Sequence, residues 1–264
     1  MKRLVHKWWW VPVVALAVLV LAFILWANNP LGPMPRALDA LSSDENVEVI
    51  TSPWYIFQPR NALHRAGVIF YPGGRIDPRS YAPVARRLAE AGYLTVITPM
   101  PLNLAFLAPG MANRVVAAYP EIAHWLIGGH SLGGAMAASF IKTNQGKVDG
   151  LYLWAAYPSA KDDLSNLKIP VTSVFATLDD IVPPEKALAA KPLLPYETNF
   201  QEIKGGNHAG FGWYGPQPGD NRAIISREDQ QDQAISAIIF LLEKVLSQEV
   251  GFSPTSERFL QNIF

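Results

Sequence analysis

From Gly67 to Ile203 short strand-like segments alternate with helix-like ones, and that alternation leaves few architectures open. The strands are Gly67 to Tyr71 (GVIFY), Tyr93 to Thr98 (YLTVIT), His124 to Gly128, Asp149 to Ala156 (DGLYLWAA), Pro170 to Thr177 (PVTSVFAT) and Asn199 to Ile203. Asp77-Pro78 caps and starts a helix running through ARRLAEAG, which Gly92 ends. Val115 to Ala123 is expected to be helical despite Pro120, and Gly134 to Lys142 is a further helix. A closing helix begins at Ser226, with Asp229 at capping-box spacing and Ile235, Ile238, Ile239, Leu242 and Leu246 along one apolar face. Val47 to Ile50 and Trp54 to Phe57 form an antiparallel opening pair. This is the pattern of an α/β, doubly wound, mostly parallel central sheet covered on both faces. In such sheets reactive groups collect at the carboxyl ends of the strands.

The first 27 residues do not belong to that pattern. Trp8 to Ala27 is an uncharged run of twenty residues with tryptophans at both ends (Trp8 to Trp10, and Trp26). At 1.5 Å per residue it spans roughly 30 Å, the hydrocarbon thickness of a bilayer. Lys2, Arg3 and Lys7 precede it, so the positive-inside bias puts the N-terminus in the cytoplasm and the rest outside. The expectation is a single-pass anchor in the cell membrane. A cleaved signal peptide is the alternative, although Leu25-Trp26-Ala27 is a poor small-x-small cleavage site. The expected organisation is a cytoplasmic stub and anchor over residues 1–27, a linker over 28–43, an α/β domain over 44–247 and a tail over 248–264. The linker reading rests on three prolines and one glycine between Asn28 and Ser43.

Lys+Arg and Asp+Glu both total 22, so the net charge gives no hint of a polyanionic partner, and no nucleic acid is expected. There are no cysteines, which excludes disulfides, thiolate metal sites and a cysteine nucleophile. Nothing in the sequence requires a metal or a cofactor, and it does not specify an oligomeric state.

The chemistry begins at GGHSLGG, Gly128 to Gly134. Gly129-His130-Ser131-Leu132-Gly133 matches G-x-S-x-G, a turn that raises a serine between a strand and a helix. A serine hydroxyl needs a base, and the base needs an orienting acid. The acid is expected at Asp179, which comes first off the strand ending at Thr177, with Asp180 as its competitor. The base is expected at His208, the only histidine that follows the acid at a strand end. The oxyanion, whose stabilisation is commonly worth ~3–4 kcal/mol, needs backbone donors. Leu132, after the nucleophile, supplies one, and Gly74 in Tyr71-Pro72-Gly73-Gly74-Arg75 supplies the other, with Arg75 the neighbouring alternative.

These residues resemble the α/β-hydrolase superfamily, and within it the compact bacterial alpha/beta hydrolase fold-5 domain. The likeness runs from about Val47 to Leu246, through FYPGG, YAPVARRLAEAGY, PMPLNLAFL, GGHSLGG and GGNHAGFGWYG with Gln217 and Asp220 following. It implies the α/β-hydrolase fold, with nucleophile, acid and base on Ser131, Asp179 and His208. Ala176 departs from the family's pattern, where a glycine often precedes the acid by three residues.

The segment from Ala156 to Pro170 is too short for a large cap domain, so an open site is expected. Arg75, Phe211 and Tyr214 are candidate substrate contacts; the two rings, with Trp213, either line an acyl pocket or pack internally. Asn103 to Pro109 (NLAFLAP) either walls the pocket or approaches the membrane. The leading expectation is a membrane-anchored serine hydrolase acting on a small-molecule ester or acyl substrate. An acyltransferase with the same triad and a catalytically silent binding protein are the alternatives. A histidine base works only while neutral, so activity is expected to fall below about pH 6–7.

Overall fold

A computed structural model of the chain describes residues 10–61 and 66–250. The basic cluster Lys2, Arg3 and Lys7, the rings of Trp8 and Trp9, and tail residues 251–264 lie outside the described residues. The chain opens with helix α1 (Trp10–Ala27), whose side chains are exposed except for Ala27. This helix is long and apolar enough to cross a membrane. A short helix α2 (Pro35–Asp39) follows, inside the segment expected as a linker.

The domain is built on one sheet of eight strands: β1 (Val47–Ile50), β2 (Tyr55–Pro59), β3 (Ala66–Tyr71), β4 (Leu94–Ile97), β5 (His124–His130), β6 (Gly150–Trp154), β7 (Val171–Ala176) and β8 (Asn199–Ile203). Their order is β1-β2-β4-β3-β5-β6-β7-β8. β2 is antiparallel to β1 and β4, whereas β4, β3, β5, β6, β7 and β8 pair in parallel. Helices α3 (Ala82–Glu90), α4 (Met111–Ala118), α5 (Leu132–Thr143), α6 (Pro184–Ala189) and α7 (Arg227–Val250) fill the connections and the end.

Residues on successive strand positions face opposite layers. Val68 and Phe70 join Leu88, Ile235, Ile238 and Leu242 in the core under α3 and α7. Ile69 and Tyr71 join Val115, Ala138 and Ile141 in the core under α4 and α5. Both faces are therefore buried, which explains the nearly continuous apolar strands. β3 and β5 are neighbours, but β4 lies on the far side of β3. The chain thus reverses its direction of winding between β3 and β5, and the loops leaving these strands diverge to open a crevice.

Two expectations change. The helix expected over 115–123 is α4 at Met111–Ala118, ending ahead of Pro120, whose ring cannot continue a helix. The residues 28–43 are not a free tether. Leu31 bridges to Ile76, the Met34 N–H donates to the Trp213 carbonyl (2.8 Å), and Ala37 is fully buried.

Candidate active site

Ser131 stands between β5 and α5 with φ 53° and ψ −122°, a left-handed conformation that is strained for a residue with a side chain. The sequence makes the turn possible through its flanking glycines. A methyl group on Gly129 or on Gly133 would overlap the carbonyl oxygen of Tyr71 at the end of β3. Helix α5 can therefore start tight against β3, and the Ser131 N–H donates to the Trp154 carbonyl (2.9 Å) at the end of β6. Ser131 is half-buried.

The acid and base come from the ends of β7 and β8. His208 Nδ1 lies 2.8 Å from Asp179 Oδ2, and both residues are buried. The other Asp179 oxygen, Oδ1, accepts from the N–H groups of Ile181 (3.0 Å) and Val182 (2.7 Å). With one oxygen held by two amides, the second is aimed at the imidazole, which fixes the His208 proton on Nδ1. His208 Nε2 is buried and has no hydrogen-bond partner among the described residues. Ser131 does not yet donate to it, as is common before substrate binds. The ring of His130, next in chain to Ser131, lies 4.3 Å from that of His208 and so brings nucleophile turn and base together.

Asp180 is exposed and its own N–H donates to Asp220 Oδ1 (3.3 Å), so it takes no part in orienting the imidazole. At the loop after β3, the Gly73 N–H donates to Tyr81 Oη (3.1 Å) and the Arg75 N–H to the Asn103 carbonyl (2.8 Å). The N–H of Gly74, between them, makes no hydrogen bond among the described residues. A side-chain carbon on Gly74 would lie 3.0 Å from Leu132 Cδ2, so the two expected oxyanion donors adjoin. The Leu132 N–H is at the first position of α5, where no intrahelical acceptor exists.

The candidate substrate contacts fare differently. Arg75 commits its guanidinium to the carbonyls of Trp26 (2.9 Å) and Asn29 (2.8 Å), in the last turn of α1 and just after it. Phe211 is fully buried against Trp154 (centroids 5.7 Å apart) and His130 (5.6 Å). Tyr214 is buried, and its hydroxyl donates to Gln217 Oε1 (3.1 Å). These two rings are core, because the glycine-rich 205–215 loop folds inward and buries every residue from His208 to Tyr214.

Sequence reasoning gave no role to Tyr81 or Asp220. Tyr81, fully buried, accepts from Gly73 and donates to His130 Nδ1 (2.9 Å), linking the loop after β3 to the ring beside His208. Burial pushes its phenol well above the ordinary tyrosine range, so it remains a donor. Burial, and then electrostatic repulsion with the adjacent His208 imidazole, hold His130 well below the usual histidine range. His130 is thus a neutral acceptor. Asp220 receives the N–H groups of Ala209 (2.8 Å) and Asp180, clamping the base loop to the acid loop. The signal for Asp220 in the sequence is its place after GGNHAGFGWYG, within the family likeness.

Residues 67–232 match the model of the alpha/beta hydrolase family. The chain belongs to that family. No curated protein matches it. Among solved structures, this alpha/beta hydrolase is similar to Thermogutta terrifontis esterase 2 phosphoramylated by tabun, at 16% identity and TM-score 0.56, over 76% of this chain and 96% of that one. It is similar to Est1E from Butyrivibrio proteoclasticus, at 14% identity and TM-score 0.56, over 75% of this chain and 100% of that one. A CIB-like hydrolase from Thermoplasma acidophilum gives 15% identity and TM-score 0.53, over 72% and 95%. At these identities the likeness shows the fold.

Proposed function

We propose that this alpha/beta hydrolase is a membrane-anchored serine hydrolase that cleaves carboxylic esters through an acyl-enzyme. The observation that carries the reading is the buried 2.8 Å contact between His208 Nδ1 and Asp179 Oδ2, which leaves Nε2 unpaired beside the strained Ser131 turn. In the first half-reaction Ser131 Oγ bonds to the ester carbonyl carbon as its proton passes to His208 Nε2. The oxyanion accepts from the N–H groups of Gly74 and Leu132. The carbon–oxygen bond to the alcohol then breaks, and the alkoxide leaves with the proton from His208. Water, deprotonated by the same nitrogen, attacks the acyl-serine and releases the acid and Ser131. Asp179 keeps the imidazole in the required tautomer and stabilises the imidazolium.

Helix α1, about 27 Å long by its 18 residues, is the anchor in this reading, with the catalytic domain outside the cytoplasm. Retention of the helix is favoured by the Arg75 and Asn103 side chains, whose acceptors are carbonyls at its end. One protein of similar fold, Thermogutta terrifontis esterase 2, is an esterase phosphoramylated by tabun. The direct test is labelling of the intact protein with a fluorophosphonate. Wild type should label and Ser131→Ala should not; a folded wild type that stays unlabelled overturns the proposal.

A further inference from the structure

Helix α1 is joined to the domain at the rim of the candidate site. Its last carbonyls have no intrahelical donors, so they need other partners. Arg75 supplies two donors, to the carbonyls of Trp26 and Asn29, and its guanidinium lies 4.2 Å from the centroid of the Trp26 ring. Asn103 Nδ2 donates to the Ala27 carbonyl (3.0 Å), and Ala27 is fully buried. The chain then returns, with the Leu31 N–H donating to the Arg75 carbonyl (2.8 Å). Arg75 is the residue after Gly74. The expected oxyanion donor is therefore one residue and one arginine side chain from the point where the apolar helix ends.

The backbone around this junction is strained. All five non-glycine residues with positive φ among the described ones are Arg75, Leu102, Asn103, Ser131 and Ala155. Three form the junction, Ser131 is the nucleophile, and Ala155 follows the residue whose carbonyl holds the Ser131 N–H. Such strain persists where surrounding contacts over-determine it, and it clusters at functional sites. The same loop continues into Ala105–Leu107, a turn packed against α5. There Phe106 is 47% and Leu107 is 45% exposed, on a loop whose Leu104 adjoins Gly74. Two large apolar side chains thus stand in solvent on the loop that binds the end of a helix long and apolar enough to cross a membrane.

We propose that the mouth of the site opens onto the membrane that holds α1, with Phe106 and Leu107 seated in its interface, and that the substrate is a long-chain acyl ester resident in that leaflet. This rests on the serine-hydrolase reading above. The membrane, not a protein partner, is the occupant because the loop that carries Phe106 and Leu107 is tied through Asn103 to the last residue of the apolar helix. The rigid junction holds the domain so that this rim, and not the opposite edge of the sheet, faces the lipid. A long acyl chain then reaches Ser131 without crossing water, whereas a soluble ester gains nothing from the arrangement.

The chain has no cysteine, so single cysteines report position cleanly. Full-length Phe106→Cys and Tyr196→Cys would each carry an environment-sensitive fluorophore in phosphatidylcholine vesicles containing a headgroup-nitroxide lipid. Tyr196 is fully exposed ahead of β8, at the opposite edge of the sheet, and serves as the reference. Quenching at 106 should exceed that at 196 by about threefold or more, as expected for a side chain in the interface. Equal quenching overturns the placement, and this measurement needs no activity. The substrate class is tested by the ratio of turnover on methylumbelliferyl oleate in the vesicles to turnover on soluble methylumbelliferyl acetate. The double variant Phe106→Asp, Leu107→Asp should lower that ratio about tenfold or more. An unchanged ratio overturns the lipid substrate. Absence of fluorophosphonate labelling overturns the hydrolase reading and with it the substrate class, while the quenching still decides the placement.

Discussion

Asp179 and Asp180 carry the same functional group on adjacent residues, yet their surroundings give them different work. Asp179 has one oxygen fixed by two amides and the other on His208; Asp180 is exposed and engaged through its backbone. Asp179→Asn should therefore lower kcat by roughly 10³- to 10⁴-fold, through the wrong imidazole tautomer. Asp180→Asn should stay within about twofold, since only its side chain changes and surface substitutions are mild. Steady-state kinetics on one ester, with circular dichroism to show that both variants fold, separates them. Comparable losses in the two variants would remove the assignment. The sequence placed the acid at a strand end and favoured Asp179 by its position, but left Asp180 as a competitor, because which carboxylate faces inward depends on the turn made by Ile181 and Val182. It likewise left Phe211 and Tyr214 open between pocket wall and internal packing, since an aromatic loop has the same composition whether it folds inward or outward.

At the scale of elements, the turn from β5 to α5 was the most legible part of the molecule. Its glycines follow from a steric rule, and the structure shows what they avoid: the Tyr71 carbonyl oxygen. Gly133→Ala should force the start of α5 away from β3 and cost about 1–3 kcal/mol, a drop of several degrees in Tm. Scanning calorimetry reads this directly, and an unchanged Tm would mean that the elbow is not tightly packed. Helix α4 was less legible. Its apolar residues continue past Tyr119, but Pro120 sets the end of the helix, so it lies earlier in the chain than periodicity alone suggested. The existence and order of β3 to β8 were readable because strands buried on both faces must be apolar throughout. Their spatial order, with β3 between β4 and β5, was not, since it arises from where each crossover lands.

At the scale of the whole molecule, one buried histidine ties stability to pH. His130 is held below its ordinary pKa by burial and then by electrostatic repulsion with His208, with Tyr81 donating to its Nδ1. The unfolded chain therefore binds a proton below about pH 6.5 that the folded chain refuses. This stability is fully present above that value and is lost as pH falls from it toward the lower folded value. Urea titrations at pH 7 and pH 5 should show the wild type losing more stability than His130→Gln, which cannot titrate but can still accept from Tyr81. Equal losses would show that His130 is not the group responsible.

By itself the sequence determined the class of the sheet, the apolar helix ahead of it, and a serine, a carboxylate and a histidine at strand ends. Each follows from local rules: periodicity, length and the sterics of a turn. Only the tertiary structure decided that Gly74 and not Arg75 has the uncommitted N–H, because Asn103, distant in sequence, takes the Arg75 amide. Only it showed that residues expected as a linker dock on the domain, and that Arg75 grips the end of α1. Those contacts join residues many positions apart, and their geometry is fixed by packing that no local stretch encodes.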